Sequence, residues 1–137
     1  MNIIFEILYL LLVFYLLALY FSLFRNVVSH RRESKTTLGY KGEKLERAIR
    51  AHSNFCETVP FNLFLSLILY FNNYHFICFL SLLIMCVGRR IHANSISNVN
   101  EDLKKRRIGM RLTVTSYSIL ILGILYYIGN IIYFYIL

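Results

Sequence analysis

The chain has 137 residues, of which 58% are hydrophobic and 16% charged, with one Pro and no Trp, a composition too apolar for an ordinary soluble domain of this length. The formal charge of +8 does not point to nucleic acid, because all 15 Lys and Arg residues fall in two stretches, Arg25–Arg50 and Arg89–Arg111, each set between long apolar runs. A hydrocarbon core about 30 Å thick takes roughly 20 helical residues to cross, which leaves room for about four spans, two substantial loops and no second domain.

Helix 1 is expected over Ile3–Phe24, rich in Leu, Phe and Tyr and free of Gly and Pro. It lacks a basic leader, carries Glu6 and is followed by positive charge, so it reads as a retained span rather than a signal peptide. Arg25–Gly42, closing on Gly39-Tyr40-Lys41-Gly42, reads as a loop. Glu43–Phe71 reads as one long helix, polar in its first half and apolar from Val59 apart from Asn62 and Ser66, with a bend expected at Pro60. The uncharged Asn72-Asn73-Tyr74-His75 is the next turn. The apolar stretch Phe76–Val87 is too short to span alone, so helix 3 must continue past Gly88 through Arg89 and His92 toward Ile96. Asn94–Asn100 reads as the second loop, and Asn100 followed by Glu101 and Asp102 resembles a helix start, with helix 4 running to the C-terminus. The fold expected is an all-α membrane protein, a bundle of four transmembrane helices. Positive flanks stay cytoplasmic, which places both basic stretches inside and both termini outside.

Helix 2 carries Arg47, Arg50, Asn54 and Glu57 within an arc of about 80° at helical spacing, forming one polar stripe in which Arg50 and Glu57 partly neutralise each other. Helix 3 adds Arg89 and His92, and helix 4 adds Arg107 and Arg111, one turn apart. Ionisable groups at membrane depth are costly unless paired or hydrated, so the stripe should face a cavity or another subunit. An excess of Arg over acids suits an anionic ligand, and Glu57 suits an ammonium, so the ligand should carry both signs. A tripeptide thiol such as glutathione fits, since Arg favours thiolate formation, but so do other zwitterions. An interfacial salt-bridge network is the bland alternative for the stripe, and a positive-inside anchor is the alternative for Arg107 and Arg111.

Cys56, Cys78 and Cys86 have no metal-ligand spacing and read as buried packing residues, and no metal site is expected. His52 reads as a packing residue off the stripe, His30 and His75 as solvated, and Glu6 as an exposed helix-end residue. Glu6 and Glu57 admit a small proton-coupled transporter, against which the basic stripe argues because its field repels a cation.

Glu46-Arg47-Ala48-Ile49-Arg50-Ala51-His52-Ser53-Asn54-Phe55-Cys56-Glu57, followed by Pro60, resembles the signature of the MAPEG family, membrane-associated proteins in eicosanoid and glutathione metabolism. Gly88-Arg89-Arg90-Ile91-His92 and Arg107-Ile108-Gly109-Met110-Arg111 resemble its helix 3 and helix 4 elements. The wording is most similar to a bacterial, YecN-like branch. The resemblance implies a homotrimer in the bacterial inner membrane that binds glutathione between subunits and meets lipophilic small molecules or lipids arriving from the bilayer. By position it implies that Arg50, Asn54 and Glu57 hold the glutathione backbone, that Arg89 and His92 line the same pocket, and that Arg111 is the catalytic residue stabilising a thiolate. Arg47 and Arg107 join the binding set. The implied activity is glutathione transferase or peroxidase, with a noncatalytic lipid-binding scaffold of the same fold as the alternative. Ile96 stands where conjugating relatives often carry Tyr, and Leu112 stands where prostaglandin-synthase relatives carry a hydroxyl, so specialised eicosanoid synthesis is not expected.

Overall fold

The computed structural model describes residues 3–135, with side chains to Phe134, and is helical throughout. Its four helices are α1 (Ile3–Ser34), α2 (Glu43–Phe71), α3 (His75–Ser97) and α4 (Leu103–Tyr135). All four are long and apolar enough to cross a membrane.

The expected spans are all present, but three boundaries move. α1 does not stop at Phe24; it continues ten residues into the basic stretch, so the connection is only Lys35–Gly42. Nothing between Arg25 and Ser34 breaks a helix, and Arg31 and Arg32 sit favourably on the negative end of the helix dipole. The break comes at Lys35, where the backbone turns left-handed at φ 49°, and Arg31 Nη1 donates to the Thr37 carbonyl at 2.9 Å to fold the connection back. α3 likewise runs to Ser97, beyond the expected loop start at Asn94. The cap of α4 is Asp102, not Asn100, because Asp102 Oδ1 accepts from the backbone N–H groups of Lys104 at 2.9 Å and Lys105 at 3.3 Å. α2 matches its expected bounds and continues through Pro60 without interruption.

α3 lies at the centre, touching α1, α2 and α4, whereas α1 and α4 do not touch each other. Half of the most apolar window of α3 is buried but only 11% of that of α4, so α4 leaves most of its apolar surface to lipid or to another chain. Leu16, Leu82, Met85 and Leu120 fill the interior, and Asn62, Ser66, Ser81, Thr113 and Ser116 turn inward with them. Tyr9 shares a hydrogen bond with Ser66 at 2.7 Å, Asn62 donates to Ser116 at 3.0 Å, and Ser81 meets Ser116 at 2.8 Å, so small hydrogen-bonded pairs link all four helices.

Three side chains differ from expectation at the ends of the bundle or on its surface. His75 is buried rather than solvated, packed edge-on against Tyr70 with ring centroids 4.9 Å apart. Glu6 is partly buried and accepts from the Tyr70 hydroxyl at 2.8 Å, because α1 and α2 meet at that level. Cys56 is exposed, since the buried face of α2 runs through Ala51, Phe55 and Val59 and leaves Cys56 on the outside. Cys78 and Cys86 are buried as expected, and His52 packs on Tyr20 and Phe24.

Candidate functional site: a mixed-charge cavity at the basic end

The polar first half of α2, the C-terminal turn of α3, the Asn98–Asp102 connection and the first turns of α4 enclose a cavity of about 410 Å³. Arg47, Arg50 and Asn54 line it from α2, with Glu43 and Glu46 one turn earlier; Ile96, Glu101 and Arg106 close the other side. The helical spacing of the stripe thus brings three of its four members to one cavity.

Arg47 is firmly held. Its Nε donates to Glu43 Oε1 at 2.9 Å, and its Nη1 donates to the Ile96 carbonyl at 3.3 Å and to Glu101 Oε2 at 3.1 Å. Arg106 Nη1 approaches the second oxygen of the same carboxylate at 2.9 Å. Partial burial of Glu101 works to raise its pKa, but hydrogen bonds and charge from Arg47 and Arg106 outweigh this and hold the carboxyl below its ordinary range. Arg50 and Asn54 differ: neither side chain has a hydrogen-bond or ion-pair partner among the described residues, and both open into the cavity.

Glu57, the fourth stripe residue, is exposed and does not line the cavity. The expected neutralisation of Arg50 by Glu57 is absent, since no ion pair joins them among the described residues. About two helical turns separate them along one face of α2; both are exposed, and the cavity reaches Arg50 but not Glu57.

Arg89 and His92 lie deeper, on the buried face of α3. Arg89 is 2% exposed; its Nη1 donates to Thr58 Oγ1 at 3.3 Å, while Nε and Nη2 have no partner among the described residues. The Tyr117 hydroxyl donates to the Thr58 carbonyl beside it, fixing α4 to α2 at this level. His92 Nδ1 lies 3.2 Å from the Arg106 carbonyl, and since a carbonyl only accepts, that nitrogen carries the proton. Nε2 is then an acceptor in the neutral ring, buried and unpartnered among the described residues. His92 also borders a second hollow of about 320 Å³ with Leu103, Arg106, Arg107 and Met110. Arg106 lines both spaces.

Arg107 is exposed, with Nε donating to the Leu103 carbonyl at 3.4 Å. Arg111 is exposed one turn further on, and its side chain has no partner among the described residues. Within one chain the cavity gathers Arg47, Arg50 and Asn54; His92 and Arg107 share the second hollow; Arg89, Glu57 and Arg111 stand apart. The hydroxyls of Thr113, Thr115 and Tyr117 are all engaged by backbone carbonyls.

Glu101 and Arg106 are site residues that sequence reasoning missed. Glu101 read as a helix-start acid, and Arg106 lay unremarked within the basic stretch Arg89–Arg111. The one signal was an acid next to a basic run facing a basic stripe, which marks a pairing without saying with whom.

Four membrane-length helices, with a mixed-charge cavity at the basic end, define a multi-pass helical membrane protein. The MAPEG family model matches residues 9–135, and the chain belongs to that family of membrane proteins of glutathione and eicosanoid metabolism. No curated protein and no solved structure matches it.

Proposed function

We propose that this protein binds glutathione at the basic end of the bundle and uses it, as a homotrimer in the bacterial inner membrane with its charged loops cytoplasmic, to conjugate or reduce lipophilic electrophiles. The observation that carries the reading is the pair Arg50 and Asn54, unengaged in a cavity whose other arginines are already paired. A guanidinium and a carboxamide side by side suit a carboxylate of the ligand. Glu46 on the same wall suits its ammonium. Glu57 and Arg111, exposed on span-length helices and without side-chain partners among the described residues, are the groups that a neighbouring subunit would enclose; leaving them to lipid is unfavourable.

Arg111 is the catalytic residue of this reading. Its permanent positive charge stabilises the thiolate over the thiol, and the apolar surface of α4 around it admits a bilayer-borne substrate. In conjugation, the thiolate sulfur attacks the electrophilic carbon and the leaving group departs with its electron pair. In peroxide reduction, it attacks the O–O bond, releasing the lipid alcohol, and a second glutathione resolves the sulfenate to the disulfide and water.

Calorimetric titration of glutathione into the detergent-purified protein tests the binding claim. Wild type is expected to bind and Arg50→Ala to bind about tenfold more weakly or worse, the scale of a lost charge-assisted hydrogen bond. No binding by wild type sinks the reading.

A further inference from the structure

The cavity contains a carboxylate of its own. Glu101 belongs to the five-residue connection Asn98–Asp102 and to no helix, yet its side chain reaches into the cavity and is only 14% exposed. Its two oxygens are divided between arginines from different helices, Arg47 at 3.1 Å and Arg106 at 2.9 Å. Arg47 is engaged a second time by Glu43 at 2.9 Å. Two of the three arginines lining the cavity are therefore neutralised from within, and the third, Arg50, is not. A ligand carboxylate reaching Arg50 and Asn54 meets open donors; one reaching Arg47 and Arg106 meets donors already holding a charged carboxylate.

We propose that Glu101 is a built-in carboxylate that holds the Arg47–Arg106 subsite and yields it to the second carboxylate of a dicarboxylate ligand whose first carboxylate sits on Arg50 and Asn54. This rests on the glutathione reading and specifies the class of ligand within it. The exchange is feasible because Glu101 is carried by a short connection, so swinging it out exposes its charge to water without unwinding a helix. It makes the cavity count carboxylates: a ligand with one is served by Arg50 and leaves Glu101 in place, whereas a ligand with two displaces it. Affinity for a dicarboxylate is then lower than the arginines alone would give, by the strength of the internal pair.

The test measures the dissociation constants of reduced glutathione, and of glutathione esterified at the glycine carboxylate, for the wild-type protein and Glu101→Gln. The expected result is that Glu101→Gln binds glutathione about threefold to fivefold more tightly, the scale of a partly exposed ion pair, while its affinity for the ester changes less than twofold. Glu101→Asp keeps the charge but is one methylene too short to span both arginines; it should tighten glutathione binding by an intermediate factor, and it serves as the test if the Gln variant does not fold. Unchanged or weakened glutathione binding in the Glu101 variants, with wild type binding normally, overturns the proposal and makes Glu101 a group that merely positions the arginines. Equal tightening for glutathione and the ester also overturns it, since the gain would then be general electrostatics. Absence of glutathione binding in every protein overturns the underlying reading as well, and so is distinguishable from failure of the exchange alone.

Discussion

Gly88 of α3 and Gly109 of α4 lie face to face: a β-carbon at Gly109 would sit 2.8 Å from the Gly88 carbonyl oxygen and 2.7 Å from the His92 β-carbon. A β-carbon at Gly88 would meet the Gly109 carbonyl oxygen at 3.0 Å and the Leu112 β-carbon at 2.9 Å. Backbone meets backbone here, as small residues allow between membrane helices. This contact presses α4 against the turn of α3 that carries Arg89 and His92.

Gly109→Ala should therefore separate the two helices and lower stability by about 1–3 kcal/mol, the usual penalty of overpacking. A fall in the thermal unfolding midpoint in detergent checks it. The control is Gly129→Ala, where a β-carbon meets nothing within 4 Å; it should leave the midpoint unchanged or slightly raised.

Arg89 is the opposite case, a residue retained against stability. A guanidinium that is 2% exposed, with two of its nitrogens unpartnered, is unfavourable to bury. Arg89→Met, similar in length and apolar, should stabilise the isolated protein by roughly 1–2 kcal/mol. The same variant should lose glutathione affinity if Arg89 contributes to the site. Stability and binding moving in opposite directions is the expected signature; a drop in both would assign Arg89 a structural role.

Much of this architecture is legible in the sequence, for identifiable reasons. Apolar runs of span length locate the helices, and the spacing of Arg47, Arg50 and Asn54 already places them on one side of α2. Helix ends are less legible where charged residues are also good helix formers: the run from Arg25 to Ser34 leaves the apolar region without leaving the helix. Composition there marks a change of solvent, not of backbone. The meeting of Glu101 with Arg47 is a contact between residues 54 apart in sequence, which no local pattern encodes. His75 was misread for a related reason. Beside two asparagines it looks like a turn residue, but it opens α3 and packs against a tyrosine of the preceding helix.

Both ring nitrogens of His75 are buried without a hydrogen-bond partner among the described residues. Replacement by Phe keeps the edge-on packing against Tyr70 and removes two unsatisfied polar atoms, so His75→Phe should raise stability by about 1 kcal/mol. A lower midpoint would mean that the imidazole contributes to stability and that its nitrogens are not left unsatisfied.

The Glu101 pair makes stability depend on pH with a definite sign. Its carboxyl is held below its ordinary value in the folded protein, so its contribution is fully present above the unfolded pKa, about 4.3, and is lost as pH falls through the lower folded value. The unfolding midpoint of wild type should thus exceed that of Glu101→Gln at neutral pH, and the gap should narrow below about pH 4. A gap that persists unchanged into acid would exclude the carboxylate as its source.

The most direct test of the account is the ultraviolet thiolate band that appears when glutathione is added to the purified protein, compared between wild type and Arg111→Ala. Wild type should show a thiolate signal that disappears in Arg111→Ala while glutathione remains bound. Glutathione bound by wild type with no thiolate at neutral pH would contradict it and leave a ligand-binding membrane scaffold in place of an enzyme.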